Sequence, residues 1–301
     1  KRYIVVLLML SFFANRLCAD NRNILENSIS KHELTSALVK GTDWVYFPGY
    51  TDRNKWESLP ENIKKEIIEK GEKALNFQWG VVKATDYIEF TRSGNRDIMQ
   101  NPENARINAL KNLALAELIE GKGRFIDAMT NGVWAVCEQS TWVHSAHLPN
   151  QKGGAGLPNP DDIIIDLGSG NIGALMSWVH YYFASEFDKI SPHVAERIRR
   201  EVRTRILEPY YTRTDMWWMG FNTSFVNNWN VWVNYNVLQC ILLLETDETR
   251  LVDNVYKAMT SIDKFLNYYK EDGGCDEGPS YWGHAGGKLF ECLELLDKAT
   301  N

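Results

Sequence analysis

Residues 228–245 read NWNVWVNYNVLQCILLLE, and residues 248–266 follow as ETRLVDNVYKAMTSIDKFL. The first run is Trp-rich and apolar almost throughout, which a helix tolerates only when neighbours cover it. The second carries many more charges, as a helix with one solvated face does. Two such helices joined by a short break make a hairpin with one inner and one outer member. The pattern spreads in both directions. Helices are predicted over 104–120, ending at Gly121, over 124–139, 167–187 and 193–208, and after the pair over 282–299. Trp134, Trp178, Trp232 and Trp282 fall in the four inner segments, at intervals of roughly 50 residues, the length of two helices and two loops. The fold class expected is all-α, an incomplete (α/α)n toroid over residues 101–301.

Residues 20–100 form a mixed lead-in. Glu61 to Asn76 reads as an amphipathic surface helix, and residues 79–91 as a short extended pair. Lys1 and Arg2 precede an apolar run from Tyr3 to Ala14, with the small Ala19 beyond it, so residues 1–19 read as a secretory signal. Twelve apolar residues are too few to span a bilayer. The expected location is periplasmic or extracellular, and Arg16 makes Cys18 a poor lipid-attachment site. The sequence lacks an initiator Met and stops on an apolar helix without its partner, which predicts a longer natural chain.

The chain has 301 residues, a 44% hydrophobic share and a formal net charge of −6. It carries no basic footprint for nucleic acid, and a local cleft field leaves an anionic substrate open. Cys137, Cys240 and Cys292 occupy apolar helical positions and read as small buried hydrophobes. No cysteine pair has metal-ligand spacing. Neither a metal nor a cofactor is called for.

Chemistry concentrates in three places. Trp217 and Trp218 stand side by side in a loop, where an indole face suits the C–H face of a sugar ring. Asn227, Asn228, Asn230 and Asn234 follow. One is needed as a helix cap, and the others offer amide donors that hold a carboxylate without bringing charge. Asp276, Glu277, Tyr281 and His284 come after a Gly-Gly turn, and Tyr281 and His284 are one helical turn apart. Glu138, His144 and His147 form the third group, as base and orienter; the two histidines also suit a metal, with no third ligand evident. His180 reads as a satisfied core histidine, and His32 and His193 as surface. Arg197, Arg199, Arg200, Arg203 and Arg205 read as one solvated face.

From Trp217-Trp218-Met219-Gly220 through Asn227-Asn228-Trp229-Asn230 to Asp272-Gly273-Gly274-Cys275-Asp276-Glu277-Gly278-Pro279-Ser280-Tyr281-Trp282, the sequence resembles the heparinase II/III-like polysaccharide lyases. The likeness is clearest over residues 130–300. It implies an α/α toroid followed by β-sandwich domains, and cleavage of an acidic polysaccharide by β-elimination. It makes Asn228 the neutraliser of the uronate carboxylate and Tyr281 the acid or acid/base. His147, or in second place His144, becomes the toroid histidine near the subsites. Trp217, Trp218, Asn227, Asn230, His144, Glu138, Glu277 and His284 are the expected substrate contacts. Two departures stand out. Trp229 occupies the place where several relatives carry His, and the family's downstream sandwich histidine lies outside these 301 residues, so the fragment alone is expected to be short of catalytic groups. Two rival readings remain: a glycoside hydrolase on the same toroid, using Asp276, Glu277 and Glu138, and a non-catalytic carbohydrate-binding protein that grips sugar with Trp217 and Trp218.

Overall fold

Caps decide where the helices begin and end, and they account for most departures from the expected boundaries. The structure, a computed structural model, describes residues 21–270, 272–275 and 277–300. The leader, with Cys18, and the carboxylate Asp276 lie outside the described residues. In chain order the helices are α1 (Ile24–Ser28), α2 (Lys31–Ala37), α3 (Arg53–Glu57), α4 (Glu61–Ala74), α5 (Ala84–Ser93), α6 (Asp97–Glu120) and α7 (Ile126–Cys137). Then come α8 (Leu167–Ile190), α9 (Pro192–Val202), α10 (Glu208–Thr212), α11 (Asn228–Leu244), α12 (Glu248–Tyr268) and α13 (Lys288–Ala299). Short 3₁₀ turns occupy Ser145–Asn150, Trp217–Met219 and Pro279–Tyr281, and π-helical segments occupy Arg203–Leu207 and Gly283–Gly287. The protein is all-helical. Among the described residues there is no strand, only an isolated bridge between Leu38 and Thr300, and no helix is long and apolar enough to cross a membrane.

Within the extended pair expected over 79–91, residues 84–91 are corrected to a helix, and 79–83 are irregular. Asp86 accepts the Lys83 N–H at 2.8 Å, and Gly94 closes the far end with φ +73°, so α5 is capped at both ends despite its β-branched and aromatic residues. Helix α6 starts seven residues before the expected Asn104. Asn95 Oδ1 accepts the Asp97 N–H at 2.9 Å, and the charge of Asp97 suits the helix N-terminus. Pro102 sits inside the helix. Gly121 ends α6 as expected, in the left-handed region.

Helix α6 packs against α4 and α7, α8 against α9 and α11, and α11 against α12 and α13. The hairpin of α11 and α12 is therefore present. The Trp marker for inner helices fails at two of its four positions: Trp134 is 44% and Trp282 61% exposed. Arg197 lies over the Trp134 ring, 5.4 Å from its centre, and α7 lies beside the charged α9. The arginine run is not one solvated face either. Arg197 and Arg205 turn inward onto Glu201, at 2.9 and 2.8 Å, while Arg199 and Arg200 stay in solvent.

The main apolar core runs through most of these helices, and a smaller cluster joins Tyr87, Met99, Val143, Leu148 and Ile164. Cys137, Cys240 and Cys292 are free and buried in the main core, and Cys275 is free and half-buried. His180 is half-buried and meets Arg199 at 3.0 Å. His32 and His193 are exposed as expected. The lead-in is tied to the late helices: buried Asp263 of α12 accepts the Leu25 and Glu26 N–H groups at 3.0 and 2.8 Å.

Candidate functional site

Asp166 is the N-cap of α8 and organises the histidine turn. Its Oδ1 accepts the Ser169 N–H and hydroxyl, each at 2.8 Å. Its Oδ2 accepts the His144 N–H at 3.1 Å and faces His147 Nδ1 at 2.6 Å. Burial would raise its pKa, but the His147 hydrogen bond and the charges of both histidines outweigh that and hold the carboxyl near 2. The Asp166–His147 contact fixes the tautomer and leaves His147 Nε2 as the nitrogen free for chemistry.

His144 Nε2 lies 3.1 Å from Oε2 of buried Glu103. Burial pulls the His144 pKa down, the Glu103 contact and the Asp166 charge push it up, and the net direction is up. Glu103 Oε1 accepts the Gln139 amide at 2.5 Å, and Gln139 in turn contacts Arg106. Gly168 makes room for His144: a Cβ at Gly168 would lie 2.5 Å from His144 Cδ2.

His144, His147 and Asp166 hold donor atoms within 4.8 Å of one another, a three-donor set for a cation. Asp166 is the third ligand that spacing did not reveal. Its two oxygens are, however, already engaged by four donors, and with His147 it forms a carboxylate–histidine dyad.

The second part is the start of α11. Asn227 caps it, with Oδ1 accepting the Trp229 N–H at 3.0 Å. The Asn228 N–H, on the first residue of the helix, points at Glu277 Oε2, 3.3 Å away. Asn228 is only 2% exposed, and its Oδ1 has no hydrogen-bond partner. A recess of about 250 Å³ is lined by Asn227, Asn228, Phe225, Lys270 and Glu277.

The other asparagines belong to the packing. Asn230 donates to Trp218 O and Ser261 O, both at 2.9 Å. Asn234 joins Tyr210 to Ser261. Asn230 is thus held inside the core and does not line the recess.

Trp218 is likewise spent. It is 1% exposed, and its indole N–H donates to Ile165 O at 2.8 Å. Trp217 is half-buried, 5.2 Å from Trp229, and the Trp229 ring lies 4.5 Å from His147. On the same face of α11, Trp232 stacks on His284 at 4.4 Å with an 8° tilt. The Trp232 N–H goes to Asn171 at 3.0 Å. Tyr281, 46% exposed, is 6.1 Å from His284. The one-turn spacing of Tyr281 and His284 thus does bring them together. Glu138 instead pairs with Arg197 at 3.0 Å.

Asp166, Glu103, Asn171, Trp229 and Trp232 escaped the sequence-based selection of site residues. Asp166 carried a signal, a capping Asp three residues before Ser169 at the head of an apolar helix, but nothing in its spacing named His147 as partner. No protein-family profile matches the chain, and no curated protein matches it.

Proposed function

We propose that this chain is the toroid part of an exported polysaccharide lyase that cleaves uronate-containing polymers by β-elimination. The observation that carries the reading is a convergence on the start of α11. His147 of one segment touches Trp229, the neighbour of Asn228, and Asn228 meets Glu277 from the loop that leads to Tyr281. Two distant segments thereby bring an oriented imidazole and the Glu277 carboxylate to the start of α11, and Tyr281 lies beside His284, which stacks on Trp232 of the same helix.

In this reading the uronate carboxylate enters the recess beside Asn228. The Asn228 amide favours the charge that builds on it as the C5 proton leaves. Oriented by Asp166, His147 offers its Nε2 for proton transfer, and Tyr281 returns a proton to the leaving oxygen. Trp217, Trp229 and Trp232 supply faces for sugar rings. His147 also answers the missing histidine after the paired asparagines, since its ring reaches Trp229 from another segment.

The hydrolase alternative needs two carboxylates flanking one bond. Glu138 and Glu277 have unrelated partners, Arg197 and Asn228, which argues against these two as that pair. The test is to incubate the full-length protein with a panel of uronate polymers and follow ultraviolet absorbance of the unsaturated product. Absorbance should rise with wild type and fall at least 100-fold in Tyr281→Phe, in the range for loss of a general acid. New reducing ends without absorbance would replace this reading with hydrolysis.

A further inference from the structure

We infer that His144, His147 and Asp166 form a binding site for a divalent transition-metal ion of the zinc class. Two imidazole nitrogens with one carboxylate suit such an ion, whereas magnesium and calcium take mainly oxygen donors. Three protein ligands leave one position of a tetrahedral ion open to water.

Local structure gathers the donors. The 3₁₀ turn Ser145–Asn150 opens with the His147 N–H bonded to His144 O at 2.9 Å, and side chains three apart in such a turn share one side of it. The two ring centres are 5.4 Å apart. Asp166 arrives from the head of α8, and the three ligand atoms lie within 4.8 Å of one another. Gly168 lets the His144 ring come this close to α8, since a Cβ there would meet the ring at 2.5 Å. Asp166 is buried, while both histidines are partly exposed and give an ion its way in.

The groups that would orient the ligands are in place. His144 turns Nε2 to Glu103 Oε2 at 3.1 Å, which leaves Nδ1 for the ion. That carboxylate oxygen is buried and has no other partner, and Glu103 Oε1 is fixed by Gln139 at 2.5 Å. A metal-bound histidine almost always gives its second nitrogen to such an acceptor. Asp166 Oδ1 is held by the Ser169 N–H and hydroxyl. Its Oδ2 has two lone pairs: one accepts the His144 N–H, and the other faces His147 Nδ1 at 2.6 Å. The ion takes the place of the proton in that last contact. The other three donors remain and aim the carboxylate, so they do not block the site. Metal loading and proton transfer through His147 are then exclusive states of the dyad.

The site stands independently of the lyase reading, because the readout is binding and not turnover. Full-length protein, first stripped with a chelator, is titrated calorimetrically with Zn²⁺, Co²⁺ and Mg²⁺, and the Co²⁺ form is read by its visible absorption. The variants are His144→Gln, His147→Gln, Glu103→Gln and, at the exposed His193–Glu196 pair, His193→Gln. Expected is saturable Zn²⁺ binding at least 100-fold tighter than Mg²⁺, with the intense Co²⁺ bands of a four- or five-coordinate ion. His144→Gln and His147→Gln should each weaken Zn²⁺ at least 100-fold. Glu103→Gln should weaken it about 10- to 100-fold, as loss of an orienting carboxylate does, and His193→Gln should leave it unchanged. The inference is overturned if Zn²⁺ does not bind, if Mg²⁺ binds as tightly, if Co²⁺ shows only the weak bands of an octahedral ion, or if His147→Gln binds as wild type does. Should His144→Gln fail to fold, His147→Gln decides.

Discussion

Replacing Asp166 by Asn changes one atom and should disturb both stability and the His147 tautomer. The amide keeps an oxygen for Ser169, so the cap of α8 survives. What is lost is the acceptor facing His147 Nδ1 and the His144 N–H. A carboxyl held near 2 instead of the usual 3.8 corresponds to about 2 kcal/mol of preference for the charged form. That stabilisation is present above pH 3.8 and is lost as pH falls through 2, because the folded state binds the proton more weakly than the unfolded one. In urea unfolding at pH 7 the variant should therefore be less stable by about 2 kcal/mol, or about 4–8 °C in Tm for a chain of this size. The gap should shrink as pH falls from about 4 towards 2. Turnover should drop at least 100-fold even at temperatures where the variant is fully folded, because His147 then shows a proton donor to the cleft where it had an acceptor. A gap below 0.5 kcal/mol at pH 7, or one that stays constant between pH 5 and pH 3, would refute the charged-dyad argument.

Two further substitutions test the packing around the site. Gly168→Ala should lower stability by about 1–3 kcal/mol, because its Cβ would press on His144; helix propensity alone forecasts a gain of about 1 kcal/mol, so the sign of the Tm change separates the two. Asn230→Ala should cost about 2–4 kcal/mol in urea unfolding and leave KM unchanged in the folded variant; a raised KM with intact stability would restore Asn230 to the substrate.

Helix positions were legible where periodicity and end signals agree, as at Gly121 and Asn227. They were misread at 79–91 because valines and aromatics there look like a strand, and only the Asp86 and Gly94 caps outweigh them. In the site, Tyr281 and His284 were readable because one turn of chain fixes their separation. Asp166 was not, since a Gly- and Pro-rich loop hides which carboxylate reaches back to His147, and the nearer Glu138 drew the choice. The asparagine run pointed to the right helix for a mixed reason. Asn227 and Asn228 stand at its start, while Asn230 and Asn234 bind α11 to Ser261.

The grip of Asp263 on α1 has a consequence for how the chain is made. The two N–H groups it caps lie 238 and 237 residues upstream. At about 5–20 residues per second, ribosomal synthesis leaves α1 waiting on the order of 10–50 s for its acceptor. A five-residue helix has no stability alone, so that stretch stays unstructured during translation and docks as one of the last steps. Contacts of such span slow folding, which makes the amide protons of Leu25 and Glu26 late reporters of completion in pulse-labelled hydrogen exchange.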